Sequence, residues 1–208
     1  VDDESSLRTA LFRVLDKKNY QVLTASTVKE AFALSSSGVD VAIIDLHLPD
    51  GDGIQLMERL KTTYPQMQFI IITGNATIDN AIQATKRGAF HYLTKPFDIH
   101  QIDSLIERAL LQKSLVQENT QLKSQLQEKY RFENIVGQSP ELMKVIELVD
   151  RVADSDATIL LSGESGTGKE LFARAIHFNS ARSAQPIVPV NCGAIPGELL
   201  ESELFGHV

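Results

Sequence analysis

An α/β protein built on parallel sheets is the fold class this sequence predicts, and three patterns carry the expectation. Near-continuous apolar runs at residues 41–44 and 69–72 alternate with stretches of helical period. A further apolar run at 158–161 leads straight into a glycine-rich loop, and residues 98–130 contain neither glycine nor proline. Strands that are apolar on both faces belong to sheets covered by helices on both sides.

The elements follow in order. Leu7, Leu11, Val14 and Leu15 form one face of a first helix, and Gln21, Val22, Leu23 and Thr24 read as a short strand. Ala31 and Leu34 belong to a second helix, and Val41, Ala42, Ile43 and Ile44 form a buried strand. Ile54, Leu56, Met57 and Leu60 mark a third helix, Phe69 to Ile72 a strand, Ile78, Ala81, Ile82 and Ala84 a fourth helix, and His91, Tyr92 and Leu93 a last strand. Asp2 and Asp3 stand at the start with no apolar run before them, so the first strand is expected to be missing.

In such sheets ligands bind beyond the carboxyl ends of the strands. Those ends carry Asp2 and Asp3, Asp45, Thr73 and Lys95. Crowded carboxylates repel one another unless a cation sits among them, and hard oxygen ligands facing a lysine suit Mg²⁺ better than zinc or copper. A site for Mg²⁺ and a phosphoryl group is the expectation. Pro96 restricts Lys95 to an extended or turn conformation and admits a cis bond. Asp50, Gly51, Asp52 and Gly53 read as a turn, because an acidic ligand at position 12 of a calcium loop is lacking.

From residue 98 to 130 one long helix is expected, with Leu115, Asn119, Leu122 and Leu126 at the four-and-three spacing of a two-stranded coiled-coil seam. A homodimer follows from that spacing. The loop Gly163, Glu164, Ser165, Gly166, Thr167, Gly168 and Lys169 then follows its apolar run and precedes an amphipathic helix bearing Leu171, Ala175 and Ile176. Small residues let several backbone N–H groups point into one concavity, and the lysine reaches outer phosphates, so a nucleoside triphosphate is the expected ligand.

The chain has 208 residues, 43% of them hydrophobic, and a net charge of −7, which suits two modest domains. No apolar stretch reaches membrane-spanning length, the first residues do not read as a basic and apolar leader, and no basic stripe for nucleic acid is present. A soluble, cytoplasmic protein is expected, its single Cys192 at a buried strand end. His47, His91, His100, His177 and His207 have no metal-ligand spacing and read as surface or packing residues. Both ends look cut: Val1 begins the chain, and a helix with a glycine stop at Gly206 nearly closes it, so a fragment is expected.

Asp2-Asp3, Asp45 within IIDLHLPDGDG, Thr73 within IIITGN, and Lys95-Pro96-Phe97 together resemble the receiver domain of bacterial two-component response regulators, over residues 1–110. The resemblance implies a flavodoxin-like doubly wound parallel sheet. It implies that Asp45 is the nucleophile taking a phosphoryl group from a sensor histidine kinase, and that Asp2, Asp3, Asp45 and the His47 backbone carbonyl hold Mg²⁺. Thr73 and Lys95 would bond the phosphoryl oxygens, and Tyr92 would be the switch that changes rotamer with Thr73.

Residues 111–133 would be a coiled-coil connector. Residues 134–208, with IVGQSP, GESGTGKE, Val190-Asn191-Cys192 and ESELFGH, resemble the N-terminal part of the P-loop AAA+ α/β domain of sigma-54-dependent activators of the nitrogen-regulator (NtrC) type. That family regularly has a glutamate after the loop lysine, so Glu170 fits ATP binding with Gly163 to Lys169, and Asn191 resembles the asparagine that restrains the catalytic glutamate. The partners implied are sigma-54 RNA polymerase holoenzyme, DNA through a C-terminal domain outside this chain, and further copies in a ring. The fragment itself is not expected to hydrolyse ATP. Two other readings stay open at this point: a phosphorylation-dependent binding module with an inactive P-loop, and a P-loop kinase.

Overall fold

The computed structural model of the chain describes residues 1–74, 78–137 and 139–206, which fall into two units, Val1–Asn119 and Thr120–Val208. In the first unit the elements run α1 (Ser5–Lys17), α2 (Val28–Leu34), β1 (Val41–Asp45), β2 (His47–Leu48), β3 (Gly51–Asp52), α3 (Gly53–Thr63), β4 (Gln68–Thr73), α4 (Ile78–Lys86) and β5 (His91–Thr94). The long helix α5 (Ile99–Lys129) begins in this unit, and α6 (Pro140–Ala153), α7 (Lys169–Phe178) and α8 (Gly197–Phe205) follow in the second. Among the described residues no helix is long and apolar enough to cross a membrane.

Strands β1, β4 and β5 form a parallel sheet in that order, with Asp45 opposite Ile72 and Thr73 opposite Thr94. Alternation along β4 explains its unbroken apolar sequence. Phe69 and Ile71 face a core with Ala31, Leu56, Met57, Leu60 and Ala84 from α2, α3 and α4. Ile70 and Ile72 face Leu11 and Leu15 of α1 and Ile102, Leu105 and Ile106 of α5. Helices therefore cover both faces, the doubly wound arrangement expected of the sequence. The consequence for function is that β1, β4 and β5 all end at one edge, where Asp45, Thr73 and Lys95 follow one another across the sheet.

Several expectations are corrected. Residues 21–24 form no strand: one backbone bond, from the Asp2 N–H to the Ala25 carbonyl at 3.1 Å, ties the end of the segment inward. Between it and β1 lies a cleft of about 610 Å³ lined by Leu11, Leu15, Tyr20, Val22, Val41 and Ile43. Among the described residues Val1 alone runs along β1 on that side, its backbone nitrogen donating to the Ile43 carbonyl at 2.7 Å and its carbonyl accepting the Asp45 N–H at 2.9 Å. On α4 the inward residue is Ala84, and Ile82 is 47% exposed rather than part of the buried face. Of Ile78 only the backbone is described.

In the second unit Phe132, Val149, Ala153 and Ala175 make a small core between α6 and α7. Ser139 caps α6 by accepting the Leu142 N–H at 3.2 Å, with Pro140 at its first position. Tyr130 stacks on Phe178 with centroids 5.2 Å apart, and Asn179 donates to the Tyr130 carbonyl at 2.9 Å. The expected strand at 158–161 is absent, and Leu160 is 90% exposed. Cys192 is likewise exposed and opens a 3₁₀ turn, not a buried strand end. Both corrections share a cause: strands form only against partners, and no described segment pairs with residues 158–161 or 187–191. The helix stop expected at Gly206 is present, with φ at 80°. Asn75, Gln138 and His207 lie outside the described residues.

Candidate functional site

The sheet edge gathers the groups that the sequence placed at strand ends. Asp45 closes β1 and is 5% exposed; Asp2 is 1% exposed, and Asp3 beside it faces solvent. One ligand oxygen from each of the three carboxylates lies within 4.8 Å of the others, the one such metal-capable group found among the described residues. Hard oxygens packed this closely fit Mg²⁺.

Lys95 reaches this cluster from the cis Lys95–Pro96 bond that follows β5. Its ammonium donates to Asp2 Oδ2 at 2.8 Å and also to Asp45 Oδ2. Its backbone N–H donates to the Thr73 carbonyl at 2.7 Å, which fixes the lysine loop to the end of β4. Burial disfavours the charged lysine, but the bonds to Asp2 and Asp45 and their negative charge outweigh it, holding its pKa above the ordinary 10.5. Lys95 is thus a fixed cation at neutral pH.

Thr73 is fully buried, and Tyr92, one strand over, packs toward the α3 side of the sheet. Burial pushes the Tyr92 phenol up, with the Thr73 side chain beside it pulling the other way. The remaining Asp45 oxygen, Oδ1, accepts the His47 N–H at 2.9 Å. Asp2 Oδ1 accepts the Glu4 N–H at 2.9 Å, and Arg8 Nη1 donates to the Asp2 carbonyl at 2.5 Å.

Gly53 is a residue that sequence reasoning missed as part of the site. A Cβ there would lie 2.1 Å from the Asp45 carbonyl oxygen, a contact with backbone that no side-chain rotation relieves. Gly53→Ala is expected to lower stability by ~1–3 kcal/mol, the usual cost of overpacking, and to displace Asp45. A thermal melt beside calorimetry of Mg²⁺ binding checks both, and a melt at the unaltered temperature would contradict the contact.

The second candidate site, at 163–170, is a separate structure. Gly166 and Gly168 adopt φ of 82° and 86°, left-handed values that a side chain would strain, so the loop curls as the glycine pattern requires. Lys169 begins α7 and folds back over the loop, donating to the Gly163 carbonyl at 3.0 Å and the Glu164 carbonyl at 2.5 Å. Thr167 Oγ1 donates to the Glu164 carbonyl at 2.8 Å, and Glu170 pairs with Arg174 at 2.8 Å. A lysine ammonium held over a glycine loop at a helix start fits a polyphosphate. Ser165 lies on the same exposed loop. Asn191 Oδ1 accepts the Gly193 N–H at 3.2 Å and so caps the short turn after it.

Comparison with known proteins agrees with this architecture. Residues 1–107 match the model of the response regulator receiver domain, and residues 135–208 match that of the sigma-54 interaction domain. The chain is 37% identical to the regulatory protein AtoC of Escherichia coli K12 and 39% identical to the response regulator protein PilR of Pseudomonas aeruginosa, over all 208 residues in both cases. It covers 45% of each of those relatives, so it spans less than half their length. Among solved structures, NtrX from Brucella abortus in complex with ATP aligns with 99% of this chain and 45% of its own, at 33% identity and a TM-score of 0.59. The beryllofluoride-activated NtrC4 receiver domain dimer aligns with 54% of this chain and 93% of its own, at 33% identity and a TM-score of 0.52. With three carboxylates and a lysine converging where β1, β4 and β5 end, this chain belongs to the response regulator receiver family, and its residues 135–208 match the sigma-54 interaction domain.

Proposed function

We propose that the first unit accepts a phosphoryl group on Asp45 from a phosphohistidine of a sensor histidine kinase, and that this switches an ATP-binding domain acting on sigma-54 RNA polymerase holoenzyme. The observation that carries the reading is the Lys95 ammonium bonded at once to Asp2 and Asp45 beside a third carboxylate. An Asp45 oxygen attacks phosphorus, the phosphorus–nitrogen bond breaks, and the departing imidazole keeps the electron pair and takes up a proton. The product is an acyl phosphate on Asp45, which adds negative charge to an already acidic site. Lys95 then turns its ammonium from carboxylate to phosphoryl oxygen, and the Thr73 hydroxyl takes a second oxygen. Movement of Thr73 leaves space on the Tyr92 side, and the ring changes rotamer to follow it.

Asp2, Asp3, Asp45 and the His47 carbonyl would hold Mg²⁺, which when bound neutralises charge on the acidic cluster and on the phosphoryl oxygens. The test is incubation with a phosphorylated sensor kinase. Label is expected to pass to the chain with Mg²⁺ and to stay on the kinase when a chelator is added. Transfer that ignores the chelator would contradict the assignment of the three carboxylates.

In the second unit Gly163 to Lys169 and Glu170 are assigned to ATP, with Asn191 as its sensor, a reading supported by the curled loop and by the NtrX complex with ATP. Leu115, Leu122 and Leu126 are 52%, 52% and 42% exposed along α5, and we assign that stripe, with Asn119, to a seam with a second copy of the chain. Leu122→Lys is expected to convert a dimer to a monomer by light scattering. An unchanged mass would remove the seam from the account.

A further inference from the structure

We infer that Asp50 is a positioning residue for the acceptor site: its carboxylate clamps the tip of the β2–β3 hairpin to the start of α2 and thereby sets the His47 carbonyl and the Asp45 carboxylate. The inference rests on the reading of Asp45 as phosphoacceptor and adds a residue that the reading does not use.

The hairpin has two rungs, His47 opposite Asp52 and Leu48 opposite Gly51, closed by Pro49 and Asp50. So short a pair of strands does not hold its own geometry in water. Its base is tied to the site. The His47 N–H donates to Asp45 Oδ1 at 2.9 Å, the Gly53 N–H donates to the Leu46 carbonyl at 2.8 Å, and Asp52 caps α3 through the Ile54 N–H at 2.8 Å.

Its tip is tied elsewhere, to chain more than twenty residues away. Asp50 Oδ1 accepts the Val28 N–H at 2.7 Å, and Oδ2 accepts the Lys29 N–H at 3.1 Å. Gly51 lies flat on the same residue, since an added Cβ would stand 3.1 Å from Val28 Cγ2. Helix α2 has its own cap, Thr27 Oγ1 accepting the Glu30 N–H at 3.1 Å, so the Asp50 carboxylate does more than begin a helix. Two charge-assisted bonds from one side chain fix a direction as well as a distance. Any tilt of a two-rung hairpin moves His47 as a unit, and with it both the carbonyl assigned to Mg²⁺ and the N–H that holds Asp45 Oδ1.

The test compares Asp50→Ala and Asp50→Asn with Thr27→Ala in the full chain, reading the dissociation constant of Mg²⁺ alone by calorimetry and the thermal midpoint of each variant. Thr27→Ala weakens the α2 cap without touching the hairpin. Asp50→Ala is expected to weaken Mg²⁺ binding by about tenfold or more, as loss of an outer support of a metal site does, while Thr27→Ala lowers the midpoint and leaves Mg²⁺ affinity unchanged. Asp50→Asn keeps one acceptor and should fall between Asp50→Ala and the unaltered chain, which keeps the test open if Asp50→Ala fails to fold. If both Asp50 variants bind Mg²⁺ like the unaltered chain, Asp50 is only a helix cap and the inference is overturned. If the unaltered chain binds no Mg²⁺, the acceptor reading falls, and this inference with it.

Discussion

Replacing Asp45 by asparagine should abolish phosphoryl uptake while leaving the fold intact. The amide is no nucleophile, so no acyl phosphate can form at position 45. Its oxygen can still accept the His47 N–H that Asp45 Oδ1 accepts now, and Lys95 keeps its bond to Asp2. The substitution also removes one of three crowded negative charges, which offsets the lost contact with Lys95. The thermal midpoint should therefore correspond to a change within ~1 kcal/mol. After treatment with acetyl phosphate and Mg²⁺, the unaltered chain should be retarded on a phosphate-binding gel and Asp45→Asn should not. A retarded Asp45→Asn band would place the acceptor elsewhere.

Lys95→Ala should cost both stability and phosphoryl transfer. It leaves Asp2 and Asp45, 1% and 5% exposed, without the cation they share. Breaking a fully buried pair costs ~3–5 kcal/mol, and because the lysine side chain is 21% exposed, water replaces part of the loss, so ~1–3 kcal/mol is expected. The pH dependence has a definite sign. Lys95 has a folded pKa raised above 10.5, so its stabilising contribution is complete below that value and is lost as pH rises through the folded pKa. The stability gap between the unaltered chain and Lys95→Ala should thus be constant across neutral pH and close only in the alkaline range. A gap that closes near neutrality would mean that Lys95 is not the charged partner of Asp2 and Asp45. Addition of Mg²⁺ should raise the midpoint of Lys95→Ala more than that of the unaltered chain, since the metal supplies the missing positive charge.

Much of this site was legible in the sequence because its logic is periodic. Apolar runs located the strands, and the polar residue after each run located the ligand edge, so Asp45, Thr73 and Lys95 could be named without coordinates. The inner face of α3, Ile54, Leu56, Met57 and Leu60, is buried as its spacing required. Elements whose formation depends on a neighbour were not legible. Residues 21–24 and 158–161 have strand composition, yet a strand exists only when its backbone groups meet another's, and composition says nothing of that. Asp50 illustrates the same limit for polar groups: Asp50 to Gly53 reads as a turn, whereas Gly51 and Asp52 form a strand and Gly53 begins α3, and the Asp50 carboxylate's partners at Val28 and Lys29 follow no period. Gly53 was hidden for a related reason, because the oxygen it must accommodate belongs to Asp45, eight positions earlier.

Reduction of the phosphorylated chain with borohydride, followed by peptide mass analysis, addresses the acceptor most directly, since an aspartyl phosphate is converted to homoserine and an ordinary carboxylate is untouched. Homoserine at position 45, and only after treatment with phosphodonor and Mg²⁺, is the result that a lysine-stabilised acyl phosphate requires. An unmodified Asp45 in a chain that has taken up phosphate would contradict it.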